Sequence, residues 1–192
     1  MKISIIGTGF IGSTLGTALT ASGHKVTYGS RHQSKEGALE AHSNVASIGS
    51  ALEDAEVVIL ALPGSAVADL TKDFGELLDS RLVIDATNQM GADVANARSS
   101  LPGSIRYARA FNTLGGENMA NPEFADGPAD MFFSAPEGDR ITVETVIDGV
   151  GLRPVFVGED QEAIIDALFE LWIALAITQG RGRRLALRLM EG

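Results

Sequence analysis

The segment "KISIIGTGFIGSTLGTALTASG", Lys2 to Gly23, decides the fold of this chain. Residues 3–6 are mostly isoleucine, a β-branched residue typical of a buried strand. Three glycines follow in G-x-G-x-x-G spacing, and the residues after them carry apolar side chains at helical intervals. Because a second apolar strand segment starts near Lys25, the pattern predicts a dinucleotide-binding βαβ unit.

Each glycine of this loop has a distinct expected role. Gly7 permits the tight turn, and Gly9 removes the side chain that would block a pyrophosphate. Gly12 lets the helix pack close to the strand, while the N–H groups at the helix N-terminus face the phosphates. The complete βαβ setting favours this interpretation over a glycine turn that binds no ligand.

The segment "VTYGSRHQSK", Val26 to Lys35, indicates which dinucleotide is bound. An Asp or Glu at the end of the second strand would bind the free 2′-hydroxyl of NAD, and none is present there. Ser30 and Arg31 instead offer a hydroxyl and a planar guanidinium, and Lys35 adds an ammonium group. These groups suit a 2′-phosphate, so the sequence predicts NADP(H). His32 can donate or stack, although a solvated loop histidine is the simpler interpretation, and Lys35 can equally be an ordinary surface lysine.

Composition limits the architecture and the class of partner. The chain has 192 residues, 45% hydrophobic and 21% charged, which predicts one domain over residues 1–192 with a sizeable core. It has no cysteine, which excludes disulfides and thiolate metal sites. The net charge of −10 argues against a general nucleic-acid binder. No metal ligand is assigned.

Neither end of the sequence indicates a membrane protein. The N-terminus enters a core strand directly, without the features of a secretory signal. The most apolar helical segment, "ALFELWIALAIT" at 167–178, is too short to cross a bilayer and carries Glu170. We expect a cytoplasmic protein with no membrane partner.

Strand-like and helix-like segments alternate along the chain. The order predicts an α/β fold of the Rossmann type, with a doubly wound, mostly parallel sheet in a single domain. Ser65 is a plausible N-cap of the helix that follows the fourth strand. Residues 159–192 are predicted to form a C-terminal helical segment. Four arginines in that segment, at positions 181, 183, 184 and 188, form a cluster whose use the sequence does not indicate.

Ligands of open α/β sheets bind at the carboxyl ends of the strands. The segments "ALPGS", "DATNQM" and "AFNTLGGEN" follow the fourth, fifth and sixth strands there. Leu62 and Pro63 can form an apolar wall, and Asn88, Asn112 and Thr113 can offer neutral hydrogen bonds. The alternative is that Pro63 ends a strand and that the asparagines cap turns. The predicted cofactor-binding residues are Gly7, Thr8, Gly9, Phe10, Ile11, Gly12, Ser30, Arg31, His32, Lys35, Ala61, Leu62, Pro63, Asn88, Ala110 and Asn112.

Candidate acid–base groups are few, so no catalytic residue is assigned. None of the three histidines, His24, His32 and His42, is placed by the sequence where hydride transfer would occur. A carbonyl reductase needs a proton donor, which would have to be Tyr107, Thr113 or an ordered water. Hydride exchange between two cofactors has no such requirement. In addition, the residues after about Gly158 are too few for the helical substrate domain of hydroxyacid and imine-reducing dehydrogenases.

The chain resembles the NADP reductases that use the deazaflavin coenzyme F420, together with related dinucleotide-binding proteins such as the reductase domains of the STEAP metalloreductases. The resemblance rests on "GTGFIGSTLGTAL", "GSRHQSK", "VVILALP", "ATNQM", "ARAFNTLGGENM" and "GRGRRLALRLM". It implies that NADP(H) is bound by Thr8, Gly9, Phe10, Ile11, Ser30, Arg31 and Lys35. It also implies that a deazaflavin or another hydride acceptor stacks on the nicotinamide, with the cofactors supplying the chemistry.

Two other functions fit the same residues. One is a non-enzymatic redox sensor that binds NADP(H) and signals through a partner protein, and the other is a small-carbonyl reductase. A homodimer is also possible, because several apolar side chains share one face of the C-terminal helix. That face can instead pack on the chain's own sheet. The residues concerned are Leu168, Leu171, Trp172, Leu175 and Ala176.

Overall fold

The computed structural model describes residues 1–31, 44–88, 96–190 and 192. The strands of these ranges are β1 (Lys2–Ile6), β2 (Lys25–Gly29), β3 (Val45–Ala46), β4 (Val57–Leu60), β5 (Leu82–Asp85), β6 (Arg106–Arg109), β7 (Glu123–Phe124), β8 (Gly127–Pro128), β9 (Asp130–Phe133) and β10 (Arg153–Phe156). The α-helices are α1 (Phe10–Ala21), α2 (Ile48–Glu53), α3 (Val67–Leu78), α4 (Gly116–Ala120), α5 (Arg140–Gly149) and α6 (Glu162–Ile173).

Six parallel strands form the central sheet in the order β3-β2-β1-β4-β5-β6. This is the doubly wound order of a dinucleotide-binding fold, in which the chain reverses direction across the sheet next to β1. The predicted α/β Rossmann-type fold is therefore confirmed. The last two strands, β9 and β10, pair in parallel with each other, and an antiparallel bridge between Arg109 and Ser134 joins them to β6.

Both faces of the sheet are covered, as the alternation along each strand requires. On one face, Ile3 and Ile5 of β1 pack with Leu15 and Leu19 of α1 and with the buried side of α5. The other face carries Ile6, Val58, Leu60 and Val83, together with side chains of α2 and α3. The odd and even positions of β1 thus serve two separate core layers.

The start of α3 differs from the prediction. Gly64–Ala66 form a 3-10 turn, and the N-cap of α3 is Ala66, which makes no side-chain hydrogen bond to the helix. The prediction that Ser65 caps this helix is wrong, because the turn after Pro63 delays the first α-helical residue to Val67.

The C-terminal segment is helical only in its first part. After α6, a π-helical turn occupies Ala174–Thr178, and residues 181–190 then run across the protein without regular secondary structure. We call residues 181–190 the C-terminal strap. The prediction of a helical segment over 159–192 is wrong for the described residues beyond Thr178. Two glycines with positive φ, Gly180 at 68° and Gly182 at 86°, end the helix because other residues avoid this conformation.

The apolar residues of α6 are divided between core and surface. Trp172 and Ala176 are buried in a cluster with Phe169, against which Ile173 and Leu185 pack, so these two side chains are covered within the chain. Leu171 is 45% exposed, and the predicted homodimer stays a prediction. No helix in the described ranges has both the length and the apolar character needed to cross a bilayer.

Candidate functional site

A groove of about 1020 Å³ lies at the carboxyl ends of β1, β2 and β4. The lining continues along α3 and includes the start of α2. Its lining contains eight of the predicted cofactor-binding residues, namely Gly7, Thr8, Gly9, Ser30, Arg31, Ala61, Leu62 and Pro63. The groove therefore lies in the crevice where open α/β sheets bind their ligands.

The glycine loop forms the end of the groove at β1. Gly7 has φ +119°, and a Cβ atom on it would lie 2.3 Å from the carbonyl oxygen of Ala61. A Cβ atom on Gly12 would lie 2.1 Å from the Gly7 carbonyl oxygen, so α1 can approach β1 only without it. Gly9 differs from both, because its Cβ position meets no atom within 4 Å and its φ is −74°. Packing thus explains two of the glycines, while the third leaves space for a ligand.

The N-terminus of α1 opens at the same point. Gly9 is its N-cap, and no side chain caps the helix or places an acidic group in its first turn. The first N–H groups of a helix lack internal partners and carry the positive end of its dipole. This end of the groove therefore suits an anion such as a pyrophosphate.

Ser30 and Arg31 lie together in the groove lining, beyond the end of β2. Ser30 is partly buried and its backbone N–H donates to the Ala46 carbonyl oxygen at 3.1 Å. Arg31 is exposed, and it makes no hydrogen bond, ion pair or ring contact with another described residue. Its guanidinium group is available to an anionic ligand.

The wall formed by α3 was missed in the sequence. Asp69 and Asp73 are four residues apart, which places them on one side of the helix, and both line the groove with Leu70 and Phe74. The sequence offered one signal for this wall, the position of α3. The helix follows the fourth strand, so its first turns border the crevice. Ser47, the N-cap of α2, also lines the groove.

Several predicted residues lie elsewhere. Phe10 is 58% exposed at the start of α1, where Gly116 leaves room for its ring and for Ile11. Ala110 and Asn112 are both 0% exposed, so the structure offers no surface of either to a ligand. Asn88 is partly buried beside Asn112. His32 and Lys35 lie outside the described residues.

A buried ionic network crosses the carboxyl ends of β5 and β6. The Arg109 guanidinium lies 3.3 Å from an Asp85 carboxylate oxygen and 2.8 Å from one of Asp166 in α6, and Arg109 and Asp85 are both 0% exposed. Asp85 also accepts hydrogen bonds from the Ala97 N–H at 2.8 Å and the Tyr107 hydroxyl at 2.7 Å. Burial and the neighbouring Asp85 carboxylate raise the pKa of Tyr107. The network ties α6 and the chain around residue 97 to the sheet.

The candidate proton donors are occupied by structural contacts. Tyr107 is 4% exposed and donates to Asp85. Thr113 is 1% exposed, and its hydroxyl lies 3.7 Å from the sulfur of Met131. His24 lies in the turn after α1, where partial burial and the nearby N-terminal ammonium lower its pKa. Neither side chain named for a carbonyl reductase presents its hydroxyl to the groove.

Residues 2–89 match the family described as NADP oxidoreductase, coenzyme F420-dependent. The resemblance noted in the sequence is confirmed over these residues, and the match supports an NADP-dependent oxidoreductase activity. No curated protein sequence matches the chain significantly.

Solved structures with the same fold include both short and long proteins. A candidate F420-dependent NADP-reductase from Arthrobacter sp. FB24 has a TM-score of 0.81 at 23% identity, with 100% of each chain covered. A hypothetical protein from Sinorhizobium meliloti has a TM-score of 0.71 at 24% identity, covering 100% of this chain and 96% of the other. An imine reductase from Streptomyces aurantiacus has a TM-score of 0.71 at 19% identity, covering 95% of this chain and 69% of the other. These similarities establish the fold.

Proposed function

We propose, from the match of residues 2–89 to the F420-dependent NADP oxidoreductases, that this chain transfers hydride between NADPH and a deazaflavin or flavin-like acceptor. The observation that carries the proposal is the groove itself. It combines an open phosphate loop at Gly9 with an exposed guanidinium at Arg31 that no described residue occupies. In its specific form, the proposal is that coenzyme F420 is the hydride acceptor.

The residues present fit the dinucleotide. Gly9 leaves space beside the N-terminus of α1 for the pyrophosphate, and Arg31 with Ser30 suits the 2′-phosphate of the adenosine ribose. Leu62 and Pro63, which follow β4, supply an apolar wall. The bound cofactor would supply a hydride from its nicotinamide ring, with a solvent proton completing the two-electron reduction of the acceptor. The chain's contribution is to bind, orient and align the two ring systems.

The position of the candidate acids favours a cofactor-to-cofactor reaction over reduction of a small carbonyl compound. Tyr107 and Thr113 are buried, and their hydroxyl groups are directed to Asp85 and Met131. For Tyr107, loss of the proton is further opposed by burial and by the Asp85 carboxylate, which together raise its pKa. Hydride uptake by a conjugated ring needs no protein acid in contact with the reacting carbon.

The proposal is tested by rapid mixing of the purified protein with NADPH and a panel of oxidised acceptors. The panel contains coenzyme F420, riboflavin, FMN, a soluble quinone and a ferric chelate, and the nicotinamide absorbance is followed. We expect NADPH oxidation with the deazaflavin, with weaker or no oxidation by quinone and iron. Oxidation by none of these acceptors, with NADPH still bound, would overturn the proposal and favour the redox sensor.

A further inference from the structure

The carboxyl end of β5 is held by two fully buried side chains. The carbonyl oxygen of Thr87 accepts a hydrogen bond from the Arg109 guanidinium and another, at 2.9 Å, from Asn112 Nδ2. The Thr87 N–H donates in turn to Asp85 at 2.8 Å. Both the N–H and the carbonyl group of Thr87, the residue before Asn88, are therefore held by buried side chains.

This arrangement also sets the polarity of two amide side chains. A backbone carbonyl oxygen can only accept, so the Asn112 atom that faces Thr87 must be its NH₂ group. The second hydrogen of that group meets the side chain of Asn88 at 3.1 Å, and the atom facing it must be an acceptor, Oδ1. The remaining polar group of Asn88 is consequently its Nδ2, which can only donate.

Holding Asn112 in this orientation has a cost. Its Oδ1 atom is buried and receives no hydrogen bond from any residue in the described ranges. A buried acceptor without a donor destabilises the folded state, and such atoms are uncommon in native proteins. A position selected for packing alone would be occupied more favourably by an apolar residue.

The place of Asn88 in the sheet indicates what its NH₂ group meets. The phosphate loop follows β1 and the residues suited to the adenosine ribose follow β2, on one side of the point where the strand order reverses. The opposite half of such a sheet, here β4 and β5, receives the nicotinamide half of the dinucleotide. Asn88 is partly exposed and lies three residues beyond the end of β5.

We propose that Arg109 and Asn112 are positioning residues that fix Asn88 as a hydrogen-bond donor to an oxygen of the nicotinamide riboside. The inference rests on the proposed binding of NADP(H), and it assigns to Asn112 a role through Asn88 in place of direct cofactor contact. It also gives the buried Arg109 a function beyond holding α6 against the sheet.

The first test observes the Asn88 amide directly. The chain has six asparagines, so a protein labelled with ¹⁵N-asparagine gives six side-chain amide signals, and Asn88→Asp identifies the relevant one. We expect NADP⁺ to shift the Asn88 signal and 2′,5′-ADP, which lacks the nicotinamide half, to leave it in place. If both nucleotides bind and neither moves the signal, the inference is wrong while NADP(H) binding stands. If neither nucleotide binds, the proposed function itself fails.

The second test measures affinity for the same two nucleotides. Loss of one hydrogen bond predicts about 3- to 10-fold weaker NADP⁺ binding by Asn88→Ala, with 2′,5′-ADP binding unchanged. Asn112→Ala should give the same selective loss. Because it acts through Asn88, the double variant should lose no more NADP⁺ affinity than Asn88→Ala alone.

Asn118→Ala is the matched control for these variants. Asn118 is also 0% exposed, and its Nδ2 donates to two backbone carbonyl oxygens, those of Arg183 and Leu185. It should lower the thermal midpoint of unfolding as Asn112→Ala does, without changing the ratio of NADP⁺ to 2′,5′-ADP affinity. Equal changes of that ratio in both variants, or additive losses in the double variant, would make the role of Asn112 merely structural. If Asn112→Ala fails to fold, the Asn88 signal and the Asn88→Ala affinities decide.

Discussion

Arg31 differs from Arg183, Arg184 and Arg188 of the C-terminal strap in what its guanidinium group contacts. Arg31 is exposed in the groove and has no partner among the described residues. Arg183 pairs with Glu117 at 2.6 Å, Arg184 donates to the carbonyl oxygens of Asn121 and Glu123, and Arg188 donates to that of Asp126. The sequence shows two basic clusters in an acidic chain, but only the contacts separate an arginine that is available to a ligand from those used within the fold.

Arg183, Arg184 and Arg188 have a common structural role. They hold an extended segment against α4 and the short β7–β8 hairpin, where unpaired backbone carbonyl groups need donors. Arg184 also lies over the ring of Phe124, 4.0 Å from its centroid. The guanidinium groups of Arg183, Arg184 and Arg188 are therefore used within the fold, whereas that of Arg31 contacts no described residue and is available to an anionic ligand.

The largest expected effect is on NADPH affinity, when the guanidinium group of Arg31 is removed. Arg31→Ala should weaken NADPH binding by about one to two orders of magnitude, because charge-assisted contacts to the 2′-phosphate are lost. NADH binding should change little. Titration of wild type and Arg31→Ala with NADPH and NADH measures this. Arg181→Ala is the control, because Arg181 is also exposed and has no partner among the described residues. Wild-type protein that binds NADH as tightly as NADPH would contradict the assignment of Arg31.

A second substitution places a negative charge beside Arg31. Ser30→Asp should lower NADPH affinity by about tenfold, because a carboxylate repels the 2′-phosphate. The same carboxylate can accept a hydrogen bond from the free ribose hydroxyl of NADH, so the preference should move towards NADH. The ratio of the two dissociation constants is the measurement, and Ser65→Asp, at an exposed position outside the groove lining, is the control.

Removing an arginine contact of the strap should lower the stability of the fold without changing NADPH binding. Arg184→Ala removes donors from three oxygen atoms and a cation–π contact, so the free energy of unfolding should fall by about 1 kcal/mol. Urea denaturation measures the loss, and NADPH titration should give the wild-type dissociation constant. A variant with normal stability and weakened NADPH binding would reverse the roles assigned to the two arginine groups.

The smallest expected effect concerns acid stability. The hydrogen bond from Arg183 lowers the pKa of Glu117, so this carboxylate stabilises the fold at pH values above its unfolded pKa. That contribution is lost as the pH falls below about 4.3 and through the lowered folded pKa. Arg183→Ala should reduce the difference in thermal midpoint between neutral and acidic pH. An unchanged difference would show that this exposed pair contributes nothing measurable.

The fold could be predicted because its signals are local. The isoleucines of β1, the glycine spacing and the alternation of segments each lie within a few residues, and they determine the sheet order through general rules of handedness. Arg31 was found for the same reason, since its place at the end of β2 follows from the distance to the glycine loop.

The buried network and the strap could not be predicted because their contacts are remote in sequence. Arg109 meets Asp85 and Asp166, which are 24 and 57 residues away along the chain. Nothing in "RRLALRL" distinguishes a helix from an extended segment, and the glycines with positive φ decide the outcome. Asn112 was predictable only in part. Its position after the sixth strand was predicted, but its complete burial depends on tertiary packing.

Trp172 is positioned to serve as an intrinsic fluorescent probe of the C-terminal strap. It is the single tryptophan of the sequence, it is 2% exposed, and its indole N–H donates to the Leu185 carbonyl oxygen of the strap at 2.8 Å. The other side of its ring faces Gly115, where a Cβ atom would lie 3.0 Å from it. Release of the strap would expose the indole to water, so the emission wavelength of one fluorophore distinguishes a docked strap from a detached one without any added label.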